Sequence, residues 1–455
     1  MSRLLISAAH KSSGKTTVSL GLCAALAARG LAVQPFKKGP DYIDPMWLGR
    51  AAGRPCHNLD FHCMSHAEIL SSVGHHSGSA DIALIEGNKG LYDGLDLEGS
   101  NSNAALAKLT QTPVVLVLDA RGMTRGIAPL ILGNQAFDPE VNIAGVILNQ
   151  LGGSRHEAKL RAVIEHYTDV PVLGGVHRDR ALEIVERHLG LIPSNEADAA
   201  DNKITTIRAL VEQQVDLNRL LAVAGDAPLS FAPLPVSAPP GNQRVRIGIA
   251  RDAAFGFYYP DDLDALQQAG AELVMFDTLR DARLPEVDGL FIGGGFPESH
   301  MQALEQNTAL RSAIREAIVN GLPAYAECGG LMYLSRSLNW HGERREMVGV
   351  IPGDCVMHER PQGRGYVSLQ ETRHAPWPPG PQAQVFAAHE FHYSALENLP
   401  DKLQFAYEVK RGTGIDGRHD GIVIYRLLAC YSHMRDTAQH HWAGRFVEFV
   451  RQAGA

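Results

Sequence analysis

The chain has 455 residues, 45% of them apolar and 20% charged, with a formal net charge of −8. That length suffices for two or three domains with separate cores, the balance is that of a globular chain, and the negative charge excludes general nucleic-acid binding, which needs a basic face. Six scattered cysteines exclude a disulfide framework; no stretch reaches the ~18 apolar residues of a membrane span, and a first strand at Leu4 leaves no room for a signal peptide, so a cytoplasmic location is expected.

Leu4-Leu5-Ile6-Ser7-Ala8 reads as a buried strand. Ala9-His10-Lys11-Ser12-Ser13-Gly14-Lys15-Thr16-Thr17 follows it and leads into an Ala/Leu-rich helix ending at Gly30. Strand, glycine turn and helix start in this order make a phosphate-binding loop. Main-chain N–H groups at Gly14 to Thr17 cradle the phosphates of ATP, Lys15 neutralises them, and the Thr16 hydroxyl reaches Mg²⁺. The full pattern has a glycine where this chain has Ala9. Lys11 suggests the deviant branch of such loops, but it lies one residue nearer to Lys15 than in partition-type ATPases.

Carboxylates to hold Mg²⁺ should follow at later strand ends, because a hard cation takes oxygen ligands. Phe36-Lys37-Lys38-Gly39-Pro40-Asp41-Tyr42-Ile43-Asp44-Pro45 offers Asp41, and Ile82-Ala83-Leu84-Ile85-Glu86-Gly87-Asn88-Lys89-Gly90-Leu91-Tyr92-Asp93-Gly94 offers Glu86 and Asp93. Asp41 and Asp93 also suit ordinary turns; Glu86, closing a wholly apolar strand, does not. Ile143 to Leu148 is a further strand, and the Asn149 after it suits either adenine recognition or a helix cap.

Prolines 228, 233, 235, 239 and 240 mark a linker over 223–244 between a first domain, 1–222, and a second, 245–455. Strands alternate with helical patterns on both sides, so two α/β domains, doubly wound and mainly parallel, are expected. In the second, Gly293-Gly294-Gly295 follows the apolar run Val287 to Ile292, and Gly294 and Gly295 let main-chain N–H groups approach an oxyanion. Pro323-Ala324-Tyr325-Ala326-Glu327-Cys328-Gly329-Gly330-Leu331 is a strand turning sharply into a helix with a thiol at the turn. The helix start should lower the thiol pKa and make Cys328 a nucleophile. Asp420 to Tyr425 and Leu427 to Tyr431 form two more strands, and His433, just past the second, is the base expected to serve that thiol.

The order glycine-rich loop, strand-Cys-Gly-Gly and distant strand-end histidine resembles the class I (triad) glutamine amidotransferases. The resemblance implies that Cys328 attacks the carboxamide of glutamine and that ammonia passes to a second site. Many members of that group carry a glutamate two residues after the histidine; this chain has Arg435 there, with Asp436 beside it, so no orienting acid is assigned.

Gly39-Pro40-Asp41-Tyr42-Ile43-Asp44, Glu86-Gly87 with Gly90-Leu91-Tyr92-Asp93-Gly94, Gly145-Val146-Ile147-Leu148-Asn149, Ala254-Phe255 with Phe257-Tyr258-Tyr259-Pro260, and His389-Glu390-Phe391-His392-Tyr393-Ser394 resemble, over nearly the whole chain, the cobyrinate a,c-diamide synthases. This implies a dethiobiotin-synthetase-like ATPase fused to an amidotransferase domain, with ATP, Mg²⁺, glutamine and a tetrapyrrole carboxylate as its small molecules. It also implies that Asp41, Glu86 and Asp93 lie at the ATP, Mg²⁺ and catalytic centre, and that Tyr42 and Ile43 lie near the tetrapyrrole. Asn88-Lys89 is a departure where substrate contact is expected; it resembles a branch that amidates sirohaem for dissimilatory sulfite reductase. A cobyric-acid-synthase-like enzyme acting on other side chains is a close alternative. A partition-type regulatory ATPase with a sensor domain is one from a different class, which gives Cys328 and His433 no task.

Overall fold

The computed structural model describes residues 2–182, 193–195, 200–225, 244–380 and 385–454, with the backbone of 186–187 and 190–191. The chain divides into two compact units, Met1–Leu234 and Pro235–Ala455. Most of the expected linker, 223–244, lies outside the described residues. Of its start, Val223 closes the helix Leu217–Val223, and Gly225 exchanges two main-chain hydrogen bonds with Arg3, at 2.8 and 3.1 Å, so the first unit holds the chain at least to Gly225. No helix among the described residues is long and apolar enough to cross a membrane.

The first unit is built on seven strands: β1 (Ser2–Ala8), β2 (Val33–Lys38), β3 (His57–Leu59), β4 (Ile82–Glu86), β5 (Val114–Asp119), β6 (Ile143–Leu151) and β7 (Val172–His177). They lie in the order β3-β2-β4-β1-β5-β6-β7, and every pairing is parallel. Helices on both faces bury the strands on two sides, which is why Leu4-Leu5-Ile6 and Ile82 to Ile85 are continuous apolar runs rather than alternating ones. The chain passes to opposite sides of β1 after β4, and at such a reversal the carboxyl ends of neighbouring strands leave a ligand crevice. Register decides which side chains meet there: Glu86 pairs with Lys37 of β2 on one side and Ile6 of β1 on the other.

The second unit holds a nine-stranded sheet. Five strands, Ala271–Phe276, Val245–Ala250, Gly289–Ile292, Ala324–Glu327 and Leu427–Cys430, pair in parallel in that order. His419–Ile424, Gln404–Arg411, Gly363–Glu371 and Val385–His392 extend them antiparallel. The parallel half is covered by the C-terminal helix Trp442–Ala453, whose Trp442, Phe446 and Val450 fall at helical spacing and are fully buried or nearly so against Phe291 and Tyr325. Glu327 and Cys430 are register partners at the carboxyl ends of adjacent parallel strands. This brings the segment after each, Cys328 and Ser432-His433, to one rim of the sheet.

Candidate active sites

In the first unit the loop after β1 turns at Gly14, which has φ +85°, and opens a helix, Lys15–Ala28. Lys15 is 7% exposed, and its ammonium donates to the Lys89 carbonyl at 2.6 Å. Burial lowers its pKa against the pull of Glu86. Thr16 Oγ1 donates to Glu86 Oε1 at 2.8 Å and meets Asp44 Oδ2 at 3.3 Å, while Thr17 continues the first helical turn.

Glu86 is fully buried. Lys37 Nζ stands 2.7 Å from its Oε1 and 3.7 Å from Asp41 Oδ2, and also donates to Asp44 Oδ2. Burial raises Glu86 and, with Asp44, pushes Asp41 up to about 7; for Asp44 burial is outweighed by the Lys37 charge together with hydrogen bonds that include those to Lys37 and Thr16, and its pKa is lowered. Asp41 Oδ1 accepts the N–H groups of Ile43 and Asp44 at 2.9 and 3.2 Å, so it also fixes the start of the helix Ile43–Ala52. Glu86 Oε2, buried as well, has no hydrogen-bond partner among the described residues. A buried carboxylate oxygen left without a donor, beside a helix-start hydroxyl and two further carboxylates, fits a divalent cation.

The other expected residues divide. Asn149 is buried, donates its amide to the Ser13 carbonyl at 2.8 Å, and packs so closely that a Cβ on Gly14 would lie 2.1 Å from Nδ2. It braces the phosphate loop; the next helix begins at Ser154 with Gly153 as its cap, so Asn149 caps none. Asp93 is exposed and accepts the Gly90 N–H at 2.8 Å, stabilising the turn that offers Lys89 O to Lys15. Lys89 is exposed, whereas Tyr42 and Ile43 are each 8% exposed. Lys37 and Asp44 are the site residues that sequence reasoning missed. Their signal was present, a lysine in the strand before Asp41 and a second aspartate three residues after it, but only parallel register puts Lys37 beside Glu86.

In the second unit Cys328 has φ 46° and ψ −99°, a conformation disfavoured for any residue with a Cβ. Such a strained strand-to-helix turn presents a nucleophile at the top of a sheet. Small residues behind it are required: a Cβ on Gly329 would come within 2.9 Å of the Gly295 nitrogen. The expected lowering of the thiol pKa is not found. Burial pushes it up, Glu298 and Glu327 add to the rise, and the Gly329 N–H offsets only part of it; the helix behind, Gly329–Leu334, has six residues and a correspondingly weak field. The surroundings of Cys328 thus disfavour the thiolate.

His433 is 3% exposed. Its Nδ1 lies 3.3 Å from Glu327 Oε2, and the His389 ring stacks on its face at 4.9 Å with 17° between planes. A Cβ on Gly294 would sit 2.7 Å from His433 Cε1. Gly294 and Gly295 therefore line the same rim as His433 and the Cys328 turn, joined by a short antiparallel ladder to Phe257 and Phe255. Glu327 was noticed in sequence only as the neighbour of Cys328, and His389 only within a longer motif.

Comparison with known proteins assigns a family to each unit of the chain. Residues 5–192 match the family model of the CobQ/CobB/MinD/ParA nucleotide binding domain, and residues 246–439 match that of the CobB/CobQ-like glutamine amidotransferase domain. A protein of Magnetococcus marinus named cobyrinate a,c-diamide synthase is 48% identical, with 100% of this chain and 98% of the relative covered. Proteins of the same name from Methanosarcina acetivorans and Archaeoglobus fulgidus are 43% and 42% identical, each over 98% of this chain and 95% and 97% of the relative. Identity at this level over the full length of both partners settles membership: the chain belongs to the family of cobyrinate a,c-diamide synthases.

Proposed function

We propose that this protein amidates the a and c acetate carboxylates of cobyrinate, using ATP for activation and glutamine as nitrogen donor, in cobalamin biosynthesis. The observation that carries it is the coexistence, in a chain alike from end to end to proteins of that name, of a phosphate loop facing a buried carboxylate cluster and a strained Cys328 on one rim with His433. The sirohaem alternative rests on Asn88-Lys89 alone and is not favoured, because the full-length relatives carry the cobyrinate name. A partition-type switch leaves Cys328 and His433 unused.

A carboxylate is a poor electrophile, so its amidation needs a leaving group. Transfer of the γ-phosphoryl of ATP to a carboxylate oxygen makes an acyl phosphate; ammonia then attacks the acyl carbon and phosphate departs with the C–O bonding pair. Lys15 is the ammonium available to the phosphates, and Gly14 to Thr17 present main-chain N–H groups to them. Thr16, Asp41, Asp44 and Glu86 are the groups that would hold Mg²⁺, which when bound supplies charge neutralisation for the transferring phosphoryl. In the second unit His433 takes the thiol proton, the Cys328 thiolate attacks the glutamine carboxamide, and N–H groups of Gly294 and Gly295 face the resulting oxyanion. His433 returns the proton to the departing ammonia, and water frees glutamate from the thioester. ATP and glutamine as substrates imply a cytoplasmic enzyme, with no nucleic-acid or membrane partner needed.

Product mass spectrometry tests the assignment. Purified protein with ATP, Mg²⁺ and glutamine should add two amides to cobyrinate and none to sirohaem; amide gain on sirohaem alone would overturn the choice of substrate.

A further inference from the structure

A histidine that moves a proton between a thiol and a departing ammonia works as a unit with whatever holds its other nitrogen, because that bond fixes the tautomer and steadies the imidazolium. The position two residues past His433 does not supply such a group. Arg435 there is a cation; it donates to Asp261 at 3.0 Å and lies 4.1 Å over the Tyr259 ring. Asp436 accepts the Ala443 N–H at 2.8 Å and so serves the start of the C-terminal helix.

We propose that Glu327, the residue immediately before the nucleophile, is the positioning acid of His433. It closes the strand Ala324–Glu327 in register with Cys430, three residues short of the histidine, and is 3% exposed. Oε2 faces His433 Nδ1 at 3.3 Å, while Oε1 accepts the Met434 N–H at 3.0 Å and the hydroxyl of Tyr325. Tyr325 is itself fully buried and stacked on Phe291 at 5.0 Å. The carboxylate is thus held from two sides on a rigid strand, and its second oxygen is presented to the ring. One of its bonds goes to the main chain next to His433, so Glu327 sets the position of the histidine backbone as well as its ring. With Nδ1–H donated to Glu327, the neutral ring carries its acceptor on Nε2, the nitrogen that takes the thiol proton. The stacked His389 ring fixes the plane from the face. The acid of this site comes from N-terminal to the cysteine rather than from beyond the histidine, so a strand neighbour replaces a loop neighbour in the same task.

The inference rests on the glutamine-hydrolysing assignment of Cys328, and the test separates the two. Wild type, Glu327→Gln, Glu327→Asp and Cys328→Ala are compared, as full chains, in glutamine hydrolysis and in amide formation from ammonium salts. In hydrolase triads the equivalent amide substitution costs about 10⁴-fold in kcat; here Glu327→Gln should lower kcat for glutamine by at least about 10²-fold with KM within about twofold, the signature of a group needed after binding. Ammonia-dependent synthesis should persist, and Glu327→Asp should restore part of the loss. Wild-type kcat in Glu327→Gln, or a raised KM at unchanged kcat, would overturn the proposal. If Glu327→Gln does not fold, the wild-type imidazole decides: a low-field Nδ1 proton resonance that disappears in His433→Asn supports it, and no such resonance contradicts it. Glutamine hydrolysis surviving in Cys328→Ala would instead remove the underlying assignment.

Discussion

Lys37 and Glu86 face each other across neighbouring parallel strands, Nζ 2.7 Å from Oε1, at 4% and 0% exposure. Burial opposes the ammonium, yet Asp44 and Glu86 hold its pKa well above the usual lysine value. Removing one partner of a buried pair leaves the other charged and uncompensated, at a cost of about 3–5 kcal/mol. Lys37→Met should therefore lower thermal stability of the first unit, and Mg²⁺ should restore more of it than it adds to wild type, because the cation replaces the missing positive charge. Thermal unfolding with and without Mg²⁺ checks this; a variant as stable as wild type without the metal would count against it.

Gly14 occupies the left-handed region with Asn149 packed against its α-carbon. A side chain there adds a strain of about 1–2 kcal/mol and a steric clash with Nδ2. Gly14→Ala should weaken ATP binding by about tenfold or more, the equivalent of ~1.4 kcal/mol. Adding Asn149→Ala should recover only the part due to the clash. Titration calorimetry with a non-hydrolysable ATP analogue measures both, and unchanged affinity in Gly14→Ala would refute the loop's role.

Gly294 has no room for a methyl group beside His433 Cε1, at 2.7 Å. Gly294→Ala should push the ring away from its working position and reduce glutamine-dependent synthesis by about 10²-fold, the usual cost of ~1 Å misplacement. Ammonia-dependent synthesis, carried by the other unit, should be unaffected. Equal loss with both nitrogen sources would mean the glycine serves folding.

Glu371, at the end of the strand next to the edge of the large sheet, ties that sheet to the C-terminal helix, accepting from Arg445 Nη2 at 3.0 Å with His440 Nε2 at 3.5 Å. Burial alone would raise it, but His440 and Arg445 outweigh burial and bring its pKa to about 2. A carboxylate depressed in the folded state contributes stability that is fully present above its unfolded value of about 4.5 and is lost as pH falls through about 2. Glu371→Gln should cost on the order of 3 kcal/mol at pH 7. That difference from wild type should shrink steadily between about pH 4.5 and 2 in denaturant melts; a pH-independent difference would exclude the titration as its source.

What the sequence disclosed follows from how local each signal is. The phosphate loop and the Cys328 turn are contiguous strand-turn-helix stretches whose glycines are dictated by main-chain geometry, and both were legible. Glu86 was legible because a carboxylate has no place at the end of an apolar strand unless something there uses it. Lys37 beside Glu86 and Glu327 beside His433 are products of parallel register across strands 49 and 106 residues apart, for which a single sequence carries no mark. The thiol pKa was misjudged for a related reason: the helix start is local and visible, while the burial of Cys328 and its proximity to Glu298 come from the fold. Asn149 was expected just past the strand but lies within it, since the strand runs on to Leu151, and its contact with Gly14 decides its task.

The central claim is that one unit uses ammonia and the other makes it. The measurement that tests this most directly is amide formation on cobyrinate by Cys328→Ala with glutamine and with ammonium chloride in parallel. Loss of glutamine-dependent product with ammonia-dependent product kept is the predicted result. Undiminished synthesis from glutamine would contradict the account.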